Sequence, residues 1–378
     1  MTASNGIDQL VIIIPTLNPD EKLLRIANSL HDAGFAELII VDDGSDDRSE
    51  PIFDALKELP YCHLLQHSHN KGKGAALKTA FMDYLSRHQD GPGAITTDDD
   101  GQHTVADIIR IAENFCSEPD ALHLGCRNFR SDDVPWKSKF GNNLTRSIFH
   151  LFAGVSIADT QTGLRAIPPE VMELSLAIPG NRFEFETAML LLAWDKNIKF
   201  RETTIETVYL DNNSGTHFHP VKDAARIYRV IFIHLLQQLF RFLLSSMSSA
   251  LIDFLVFSFL VKLFTLEQDQ MALPLLLACG AARLISATWN FTVNRYWVFS
   301  TDAAHRSSLS KSLLQYSALC IAIFSASYGC TYLLAHWASP NTLQYWKLGI
   351  DLVLFVLSFV IQKIAVFRKK NKPREKLS

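Results

Sequence analysis

Short apolar runs, each closed by polar residues, recur along the first part of the chain. Continuous runs of this kind are typical of buried parallel strands, and they predict strands at residues 10–14, 38–41, 64–66, 94–97 and 122–126. Apolar residues at helical spacing lie between the runs and predict helices at residues 21–33, 51–59, 75–87 and 106–115. This alternation predicts an α/β fold with a Rossmann-like, mostly parallel sheet and right-handed crossovers.

The pattern changes after about residue 241, where long apolar runs dominate. Several runs reach the roughly 20 residues with which a helix crosses a bilayer, at about residues 242–264, 272–294, 313–335 and 346–367. The segment before them alternates apolar residues with arginines at helical spacing, which is typical of an interfacial helix. We therefore predict an α/β domain at residues 1–220, an interfacial amphipathic helix at 221–241, an all-α transmembrane domain of four helices at 242–370 and a basic cytoplasmic tail at 371–378.

The loops between the apolar runs differ in charge. The loop after the first run carries Glu267 and Asp269 and contains no lysine or arginine. Basic residues follow the second and the fourth run, at Arg295, Arg306, Lys311 and residues 368–372. Because cytoplasmic loops carry the excess of lysine and arginine, the sequence predicts a multi-pass protein of the cytoplasmic membrane. Its α/β domain and both termini are expected in the cytoplasm.

Composition excludes some classes of partner and site. The 378 residues carry a net charge of −3, so no overall charge argues for a nucleic-acid partner. The six cysteines form no CxxC pair, which fits neither a disulfide framework nor a zinc site. The first apolar run is too short for a signal peptide. We therefore expect the first domain to stay on the side of the membrane where it is made.

Polar side chains follow the first two predicted strands. Pro15, Thr16 and Asn18 close the first strand, and Asp42 and Asp43 close the second. The carboxyl ends of parallel strands meet at one edge of a sheet, where open α/β sheets bind ligands. These residues are therefore candidates for a single ligand-binding cleft.

The stretch ITTDDDGQH at residues 95–103 concentrates the candidate chemistry. Strand alternation puts Asp98 and Asp100 on one side and Asp99 on the other. Carboxylate oxygens suit Mg²⁺ or Mn²⁺ holding a diphosphate, and Gln102 or His103 follows closely enough to complete such a ligand set. The alternative interpretation is a solvated acidic turn that caps the next helix.

Two basic segments are candidates for phosphate binding. The sequence NKGKG at residues 70–74 precedes a predicted helix, so its backbone N–H groups and Lys73 can face a phosphate, although a plain helix start explains the same residues. Between Arg127 and Arg165 the chain is rich in lysine and arginine, which suits a phosphate monoester. The alternative for this second segment is a solvated basic loop.

Taken together, these motifs resemble a known family. A likeness to family 2 glycosyltransferases of the GT-A fold, which bind a nucleotide-sugar in such a cleft, rests on the ordered motifs IPTLN, VDDGS, NKGKGAA and TTDDDGQH. A narrower likeness, to the dolichyl- and undecaprenyl-phosphate sugar synthases, rests on GCR at residues 125–127, WKSK at 136–139 and DTQTGLRA at 159–166. In the membrane part, WNF at residues 289–291 and NRYWVF at 294–299 resemble GtrA-like membrane proteins.

The resemblance implies roles for the candidate residues. It implies a donor site made by Pro15, Thr16, Asn18, Asp42, Asp43, Lys73, Asp98 and Asp99, with Asp43 on the nucleobase or ribose side. It also implies a divalent metal, Mg²⁺ or Mn²⁺, held by Asp98, Asp100 and Gln102. The acceptor phosphate is expected at Arg127, Lys137, Ser138, Lys139 and Arg165, and the expected catalytic residues are Asp98, Asp100 and Arg127. In the dolichyl type a basic residue and a serine follow the tryptophan region, whereas here Ser138 lies between Lys137 and Lys139. The stretch PTLNPDE at residues 15–21 also departs from the usual PxYNE of the family.

The expected function is inverting, metal-dependent transfer of a hexose from a nucleotide-sugar to polyprenyl (undecaprenyl) phosphate at the cytoplasmic membrane face. The product would be a lipid-linked sugar for cell-envelope glycosylation. UDP-glucose is favoured as donor over GDP-mannose and UDP-GlcNAc, and a homo-oligomer is compatible with the sequence. One alternative is a processive polysaccharide synthase, whose QxxRW motif Gln238, Arg241 and Phe242 nearly match. Another is a lipid-sugar flippase whose soluble domain only binds a nucleotide-sugar.

Charged residues outside these motifs carry further hypotheses. Asp253 and Arg283 lie inside predicted spans at depths that let them pair, either as a structural clamp or as a polar route for a lipid phosphate or sugar. Glu184 begins a predicted helix, where it is either a catalytic base or a carboxylate favoured by the helix dipole.

Overall fold

A computed structural model of the protein describes residues 6–127, 146, 149, 157–206, 220–263, 272–299, 307–335 and 340–367. The described residues divide into two compact units, and the division falls between Phe232 and Ile233. The domain boundaries expected at residues 220, 241 and 370 stay predictions. The acceptor-site candidates Lys137, Ser138 and Lys139 and the basic tail lie outside the described residues.

The first unit contains a seven-stranded sheet. Its strands are β1 (Val11–Thr16), β2 (Glu37–Asp42), β3 (Cys62–Gln66), β4 (Ala94–Thr96), β5 (Ala121–Arg127), β6 (Arg165–Ile167) and β7 (Lys199–Ile205). They lie in the order β3-β2-β1-β4-β6-β5-β7. The five strands expected from the apolar runs are confirmed, and β6 and β7 were not expected.

The sheet is mostly parallel, as the alternation of strands and helices predicts. Strand β1 pairs in parallel with β2 and β4, and β5 pairs in parallel with β7. The short β6 runs antiparallel to both of its neighbours, β4 and β5. In this register Arg165, which begins β6, lies opposite Thr96, which ends β4. The antiparallel insertion therefore brings the segment before β6 to the edge of the sheet where β4 ends.

Helices cover both faces of the sheet. They are α1 (Glu21–Asp32), α2 (Glu50–Lys57), α3 (Lys73–Arg87), α4 (Val105–Ser117), α5 (Pro169–Leu176) and α6 (Glu184–Asp195). Strand alternation directs Ile13 and Ile39 into one buried layer, which also holds Phe81 of α3. The neighbouring Ile12 and Ile40 belong to the opposite layer, with side chains of α1 and α4. Two apolar layers of this kind fix the strand ends in place, which is what a site built on those ends requires.

The second unit is helical. Helix α7 (Pro220–Leu263) begins before the division, and it is followed by α8 (Ala272–Val293), α9 (Leu309–Ala335) and α10 (Pro340–Ile361). Helices α8 and α10 each end in a π-helical turn, at Asn294–Val298 and Gln362–Val366. Among the described residues, three helical segments are long and apolar enough to cross a membrane, namely Lys222–Leu263, Leu309–Leu334 and Gly349–Val366.

The expected interfacial helix and the first expected span form one continuous helix, α7. Residues 221–263 contain no glycine or proline that would end a helix between them. The change from an amphipathic to an apolar pattern near residue 241 therefore alters the surface of the helix without interrupting its backbone.

Asp253 and Arg283 meet, as their depths in the sequence suggested. The Nε atom of Arg283 lies 3.7 Å from Oδ1 of Asp253, although the arginine side chain is 78% exposed. Ser286 donates a shorter hydrogen bond of 2.9 Å to the same oxygen. The aspartate is thus held more closely by a hydroxyl than by the guanidinium. A helix clamp and a polar route both stay hypotheses for this pair.

Candidate functional site

The aspartate cluster lies where β4 ends, as expected. The backbone N–H of Thr97 still donates to the carbonyl of Ile13 at 3.0 Å, so the sheet continues to the residue before the cluster. Asp98 then faces Lys73, whose Nζ lies 2.6 Å from Oδ1, and His103, whose Nε2 lies 3.8 Å from Oδ2. Asp100 accepts a hydrogen bond of 3.0 Å from the backbone N–H of Gln102. The structure therefore brings the donor-site candidates Lys73 and Asp98 into direct contact.

Lys73 lies between two carboxylates. Besides Asp98, its Nζ contacts Oε1 of Glu186 at 3.2 Å, and all three side chains are largely shielded from solvent. Burial alone would lower the pKa of Lys73, but the charges of Asp98 and Glu186 outweigh it and raise the pKa above its usual value. The ammonium group therefore stays charged at neutral pH, next to the aspartate cluster.

Close packing of two helices brings Glu186 to this position. Gly74, in the first turn of α3, lies so near α6 that an added Cβ would be 2.5 Å from Cβ of Phe185. Only a glycine allows the helices to approach this closely at that point. The second glycine of the NKGKG stretch thus acts through packing, and its effect is to place the carboxylate of Glu186 beside Lys73.

The three neighbouring aspartates are electrostatically different. Burial would raise the pKa of Asp98, but Lys73 and His103 hold it well below its usual range. Burial raises the pKa of Asp99 to about 6, helped by the charges of Asp98 and Asp100 and opposed by a hydrogen bond from the hydroxyl of Thr16. Burial and the charge of Asp98 also raise the pKa of Asp100. Mutual repulsion among these carboxylates therefore favours additional positive charge at the site.

The donor set fits a divalent metal ion. Asp98, Asp100 and the side-chain amide of Gln102 offer the hard oxygen atoms that Mg²⁺ and Mn²⁺ prefer. Burial and the negative charge of Asp98 both raise the pKa of Asp100, and a bound cation would favour its ionised form. No group of three or more His, Cys, Asp or Glu residues with metal-site geometry occurs in the part of the chain that the structure describes. The expected set differs from such a group because its third member is a glutamine.

Asp42 and Asp43 organise the loops at the end of β2. Asp42 accepts hydrogen bonds from the backbone N–H of Ser45 at 2.8 Å and from Nε2 of Gln66 at 2.9 Å. The buried carboxylate of Asp43 contacts Nδ1 of His67 at 2.8 Å and accepts hydrogen bonds from the backbone of two loop residues, Lys71 at 2.9 Å and Gly72 at 2.7 Å. These contacts shape the loop that leads into Lys73. A direct contact of Asp43 with a nucleobase or ribose stays a prediction.

The candidates after β1 also contact this loop region. Asn18, with a left-handed φ of 52°, accepts a hydrogen bond from the backbone N–H of Asp46 at 2.8 Å. Its own backbone N–H donates to the hydroxyl of Ser45 at 2.8 Å. Pro15 pairs with Val41 within the sheet. The ends of β1 and β2 are therefore tied together, as expected for strands that share one cleft.

Arg127 and Arg165 have different surroundings. Arg127, at the end of β5, donates from Nε and Nη2 to the fully buried carboxylate of Asp159, at 2.6 and 3.1 Å. Arg165 is buried, and it donates to the backbone carbonyls of Thr162 at 2.9 Å and Glu186 at 2.8 Å. Burial lowers the pKa of Arg165, against the charges of Glu186, Asp159 and Asp98. A direct contact of either arginine with an acceptor phosphate stays a prediction.

Glu186 joins the two halves of the site. Its carboxylate holds Lys73 of the donor loop, while its backbone carbonyl accepts from Arg165 of the DTQTGLRA segment. Sequence reasoning missed this residue, because only the packing of α6 on α3 brings it near Lys73. The glutamate that the sequence did single out, Glu184, accepts hydrogen bonds of 3.2 Å from the backbone N–H groups of Asn181 and Arg182. Those contacts are the ones expected of a carboxylate that stabilises the start of a helix.

Gly163 leaves space for the carboxylate of Asp98. A Cβ added at this glycine would lie 2.7 Å from Cγ of Asp98, closer than real side chains approach. We expect Gly163→Ala to displace the carboxylate, which is the movable partner, and to reduce turnover roughly tenfold to a hundredfold with little loss of stability. Steady-state turnover and thermal unfolding of the same preparations measure the two effects.

Gly329→Ala is the matched control for this variant. It adds the same methyl group in α9, where the new atom would meet nothing within 4 Å. We expect wild-type turnover from the control. Full turnover of Gly163→Ala, or a fall equal to that of the control, would contradict the need for open space beside Asp98.

Two parts of the chain match known domain families. Residues 11–172 match the model described as Glycosyl transferase family 2, and residues 236–367 match the one described as GtrA/DPMS, transmembrane domain. Together the two matches leave out residues 1–10, 173–235 and 368–378, and the middle stretch contains α6 and β7 of the first unit.

Two of the similar proteins are named as transferases that act on dolichyl phosphate or undecaprenyl phosphate. The chain is 26% identical over 246 residues to the UDP-N-acetylglucosamine--dolichyl-phosphate N-acetylglucosaminyltransferase of Methanococcus voltae, covering 60% of this chain and 96% of that protein. It is 27% identical over 184 residues to the undecaprenyl-phosphate 4-deoxy-4-formamido-L-arabinose transferase of Sodalis glossinidius, covering 47% of this chain and 54% of that protein. Among solved structures, it is similar to a glucosyl-3-phosphoglycerate synthase from Mycobacterium tuberculosis, with a TM-score of 0.47 and 14% identity over 62% of this chain and 80% of the other.

Proposed function

The chain is a family 2 glycosyltransferase with a GtrA/DPMS transmembrane domain, and from this premise we propose that it transfers a hexose from a nucleotide-sugar to a polyprenyl phosphate. The relatives named for transfer to dolichyl and undecaprenyl phosphate support this acceptor class. The observation that carries the proposal is the position of Glu186. This residue contacts Lys73 on the donor side and Arg165 on the acceptor side, so both halves of the reaction meet around one buried group.

The donor half of the proposed site binds a diphosphate leaving group. Asp98, Asp100 and Gln102 would hold Mg²⁺ or Mn²⁺, and a bound metal ion would stabilise the charge that develops on the departing diphosphate. Lys73 adds a fixed positive charge, because Asp98 and Glu186 hold its ammonium group in place before the donor arrives. Such preorganised charge is usually the largest contribution to catalysis of this kind.

The acceptor half of the proposed site binds a phosphate monoester. Its second pKa is near 6, so the acceptor arrives ionised and does not depend on a protein base. One of its oxygens forms the new bond to the anomeric carbon from the side opposite the leaving group, and the nucleoside diphosphate leaves with the bonding electron pair. Arg127 would bind the acceptor phosphate together with Lys137, Ser138 and Lys139. The buried Arg165 would add its positive charge to this part of the site.

The proposed location is the cytoplasmic membrane, with the transferase domain and both termini on the cytoplasmic side. The basic residues that follow the second and fourth apolar runs support this orientation. UDP-glucose is the proposed donor, and a homo-oligomer is compatible with the proposal. The product would be a lipid-linked sugar for cell-envelope glycosylation.

The test is a transfer assay with full-length protein in detergent. UDP-glucose, UDP-GlcNAc and GDP-mannose are each incubated with undecaprenyl phosphate and Mg²⁺ or Mn²⁺, and the lipid is analysed by mass spectrometry. A lipid monosaccharide with release of a nucleoside diphosphate is the expected result. Polymer would favour a processive synthase, and absence of diphosphate release with all three donors would favour a flippase whose soluble domain only binds ligand.

A further inference from the structure

A buried arginine in the second unit lacks an acidic partner among the residues that the structure describes. Arg295, in the π-helical turn that ends α8, is 6% exposed. Its Nη1 donates to the hydroxyl of Ser312 at 2.9 Å, and its Nη2 donates to the backbone carbonyl of Ser307 at 2.8 Å. Its Nε has no hydrogen-bond partner within the described ranges. Its Cζ also lies 5.9 Å from the ring centroid of Tyr296. Within the described ranges the guanidinium therefore has only neutral partners and still has a donor to offer.

An anion would stabilise this arrangement. An arginine side chain stays protonated in proteins, and a buried charge is costly unless an opposite charge compensates it. No ion pair formed by the described residues includes Arg295. The hydroxyl of Ser312 donates in turn to the carbonyl of Val366 at 3.2 Å. Ser312 therefore links the arginine to a neutral carbonyl and provides no negative charge. The site thus has a positive charge and an N–H group without a described partner, and a phosphate oxygen can satisfy both.

The depth of Arg295 indicates where that phosphate would come from. The next two residues, Tyr296 and Trp297, are exposed to 52% and 44%. Exposed tyrosine and tryptophan at the end of a membrane helix mark the interface, at the level of the lipid headgroups. Lipid phosphates lie at the same level. A lipid phosphate at this level would lie beside the turn that holds Arg295.

A hydrogen-bond network fixes the position of the site. Asn294 is fully buried, and its Nδ2 donates to Oδ1 of Asn290 at 2.8 Å and to Oε1 of Gln362 in the turn after α10 at 3.0 Å. Tyr316 of α9 donates to the same oxygen of Asn290 at 2.8 Å. These bonds tie three helices together at the residue that precedes Arg295. The guanidinium is consequently held in place before any ligand binds, which lowers the entropic cost of binding.

We propose that Arg295, positioned by Ser307 and Ser312, binds the phosphate monoester headgroup of a membrane lipid. A monoester carries more negative charge than a diester, and it presents several acceptor oxygens to the planar guanidinium. The binding itself is independent of sugar transfer. If the proposed function holds, polyprenyl phosphate is a lipid of this class, and the site would retain it within the membrane domain.

Lipid binding by the full-length protein tests the proposal. Delipidated protein in detergent is titrated with dioleoyl phosphatidic acid or dioleoyl phosphatidylcholine, and bound lipid is counted by native mass spectrometry. We expect a preference for phosphatidic acid. Arg295→Gln should weaken that binding by roughly tenfold to a hundredfold, the usual effect of losing a charge-assisted hydrogen bond. Arg295→Lys should lose less, because it keeps the charge and loses only the planar fork.

Arg25→Gln is the matched control. It removes the same charge from an exposed arginine of α1 in the first unit, away from the predicted interfacial helix, and it should leave phosphatidic acid binding unchanged. Inorganic phosphate is added as a competitor to distinguish the two sources of the anion. Displacement of the lipid by inorganic phosphate at equal concentration would overturn the lipid assignment.

A second variant keeps the proposal testable if Arg295→Gln does not fold. If Arg295→Gln fails to give a monodisperse protein, Ser312→Ala keeps the arginine and should still weaken phosphatidic acid binding several-fold. Equal binding of the two lipids to the wild-type protein, or equal affinities of Ser312→Ala and the Arg25→Gln control, would overturn the proposal. Selective lipid binding without any sugar transfer would support this site and refute the proposed function, so the two can fail separately.

Discussion

Asp98→Asn and Asp100→Asn are each expected to reduce sugar transfer by about a hundredfold to a thousandfold while the protein stays folded. Both substitutions keep the size of the side chain and remove a charged oxygen from the proposed metal site. Asp98→Asn also removes one of the two carboxylates that hold Lys73, so it should have the larger effect. The measurement is the initial rate of lipid-linked sugar formation at saturating donor and lipid.

Asp54→Asn is the matched control for these variants. Asp54 is an exposed residue of α2 that pairs with Lys57 at 2.8 Å, and its loss should leave turnover at the wild-type level. Calorimetric titration with the nucleotide-sugar, with and without metal, gives a second readout. We expect both active-site variants to lose the metal-dependent part of donor affinity. Near-normal turnover in both would refute the assignment of the metal ligands.

The strands that the sequence predicted are those with the simplest physical signal. Strands β1 and β2 are buried on both faces, so their positions from Val11 to Pro15 and from Leu38 to Val41 are all apolar and the runs stand out. Strand β7 has the sequence KFRETTI, in which charged side chains interrupt the apolar ones. It lies at the edge of the sheet and pairs with β5 alone. An edge strand can keep polar side chains in solvent, so its pattern resembles that of a loop.

Strand β6 escaped prediction for a different reason. It has three residues, and its antiparallel direction is not part of the repeating pattern that the earlier strands establish. Its position nevertheless decides the geometry of the site, because it places Arg165 opposite Thr96 at the end of β4. The sequence alone identified the DTQTGLRA motif that contains Arg165. That Arg165 lies near the end of β4, beside the aspartate cluster, follows from the order of the strands in the sheet.

The aspartate cluster was predictable because local sequence decides its place. An apolar run followed by acidic residues and a glycine puts carboxylates at a strand end whatever the rest of the chain does. The contact between Lys73 and Glu186 has no such local signal, since 112 positions separate them in numbering and helix packing alone brings them together. Gly163 is similar, because its importance comes from a close approach to Asp98 that no periodicity encodes.

Arg127→Ala should weaken binding of the acceptor lipid, so that more lipid is required, and should leave binding of the nucleotide-sugar donor unchanged. The guanidinium lies at the end of β5, and it makes two hydrogen bonds to the buried carboxylate of Asp159. If it also binds the acceptor phosphate, its loss should lower kcat/KM for the lipid by roughly tenfold to a hundredfold, since charge-assisted hydrogen bonds are lost. The Kd for the nucleotide-sugar, measured by calorimetry, should stay at the wild-type value.

The same substitution should also destabilise the protein, and this second effect must be separated from the first. Removing one partner of a buried ion pair leaves the other charge uncompensated, which typically costs about 3–5 kcal/mol. Arg201→Ala is a milder control, because Arg201 of β7 pairs with Glu118 at 2.5 Å and Glu118 keeps a second partner, Lys199, at 3.1 Å. That pair is anchored on the same sheet, and no acceptor role is predicted for it. We expect the control to lower the unfolding temperature without changing kcat/KM for the lipid.

Asp159→Asn completes the comparison. It keeps the arginine and removes the charge that orients it, so kcat/KM for the lipid should fall less than in Arg127→Ala. A loss confined to stability in all three variants would mean that Arg127 serves only to hold Asp159. A loss of donor affinity in Arg127→Ala would mean that the acceptor phosphate binds elsewhere, and the basic segment of residues 137–139 would then be the remaining candidate.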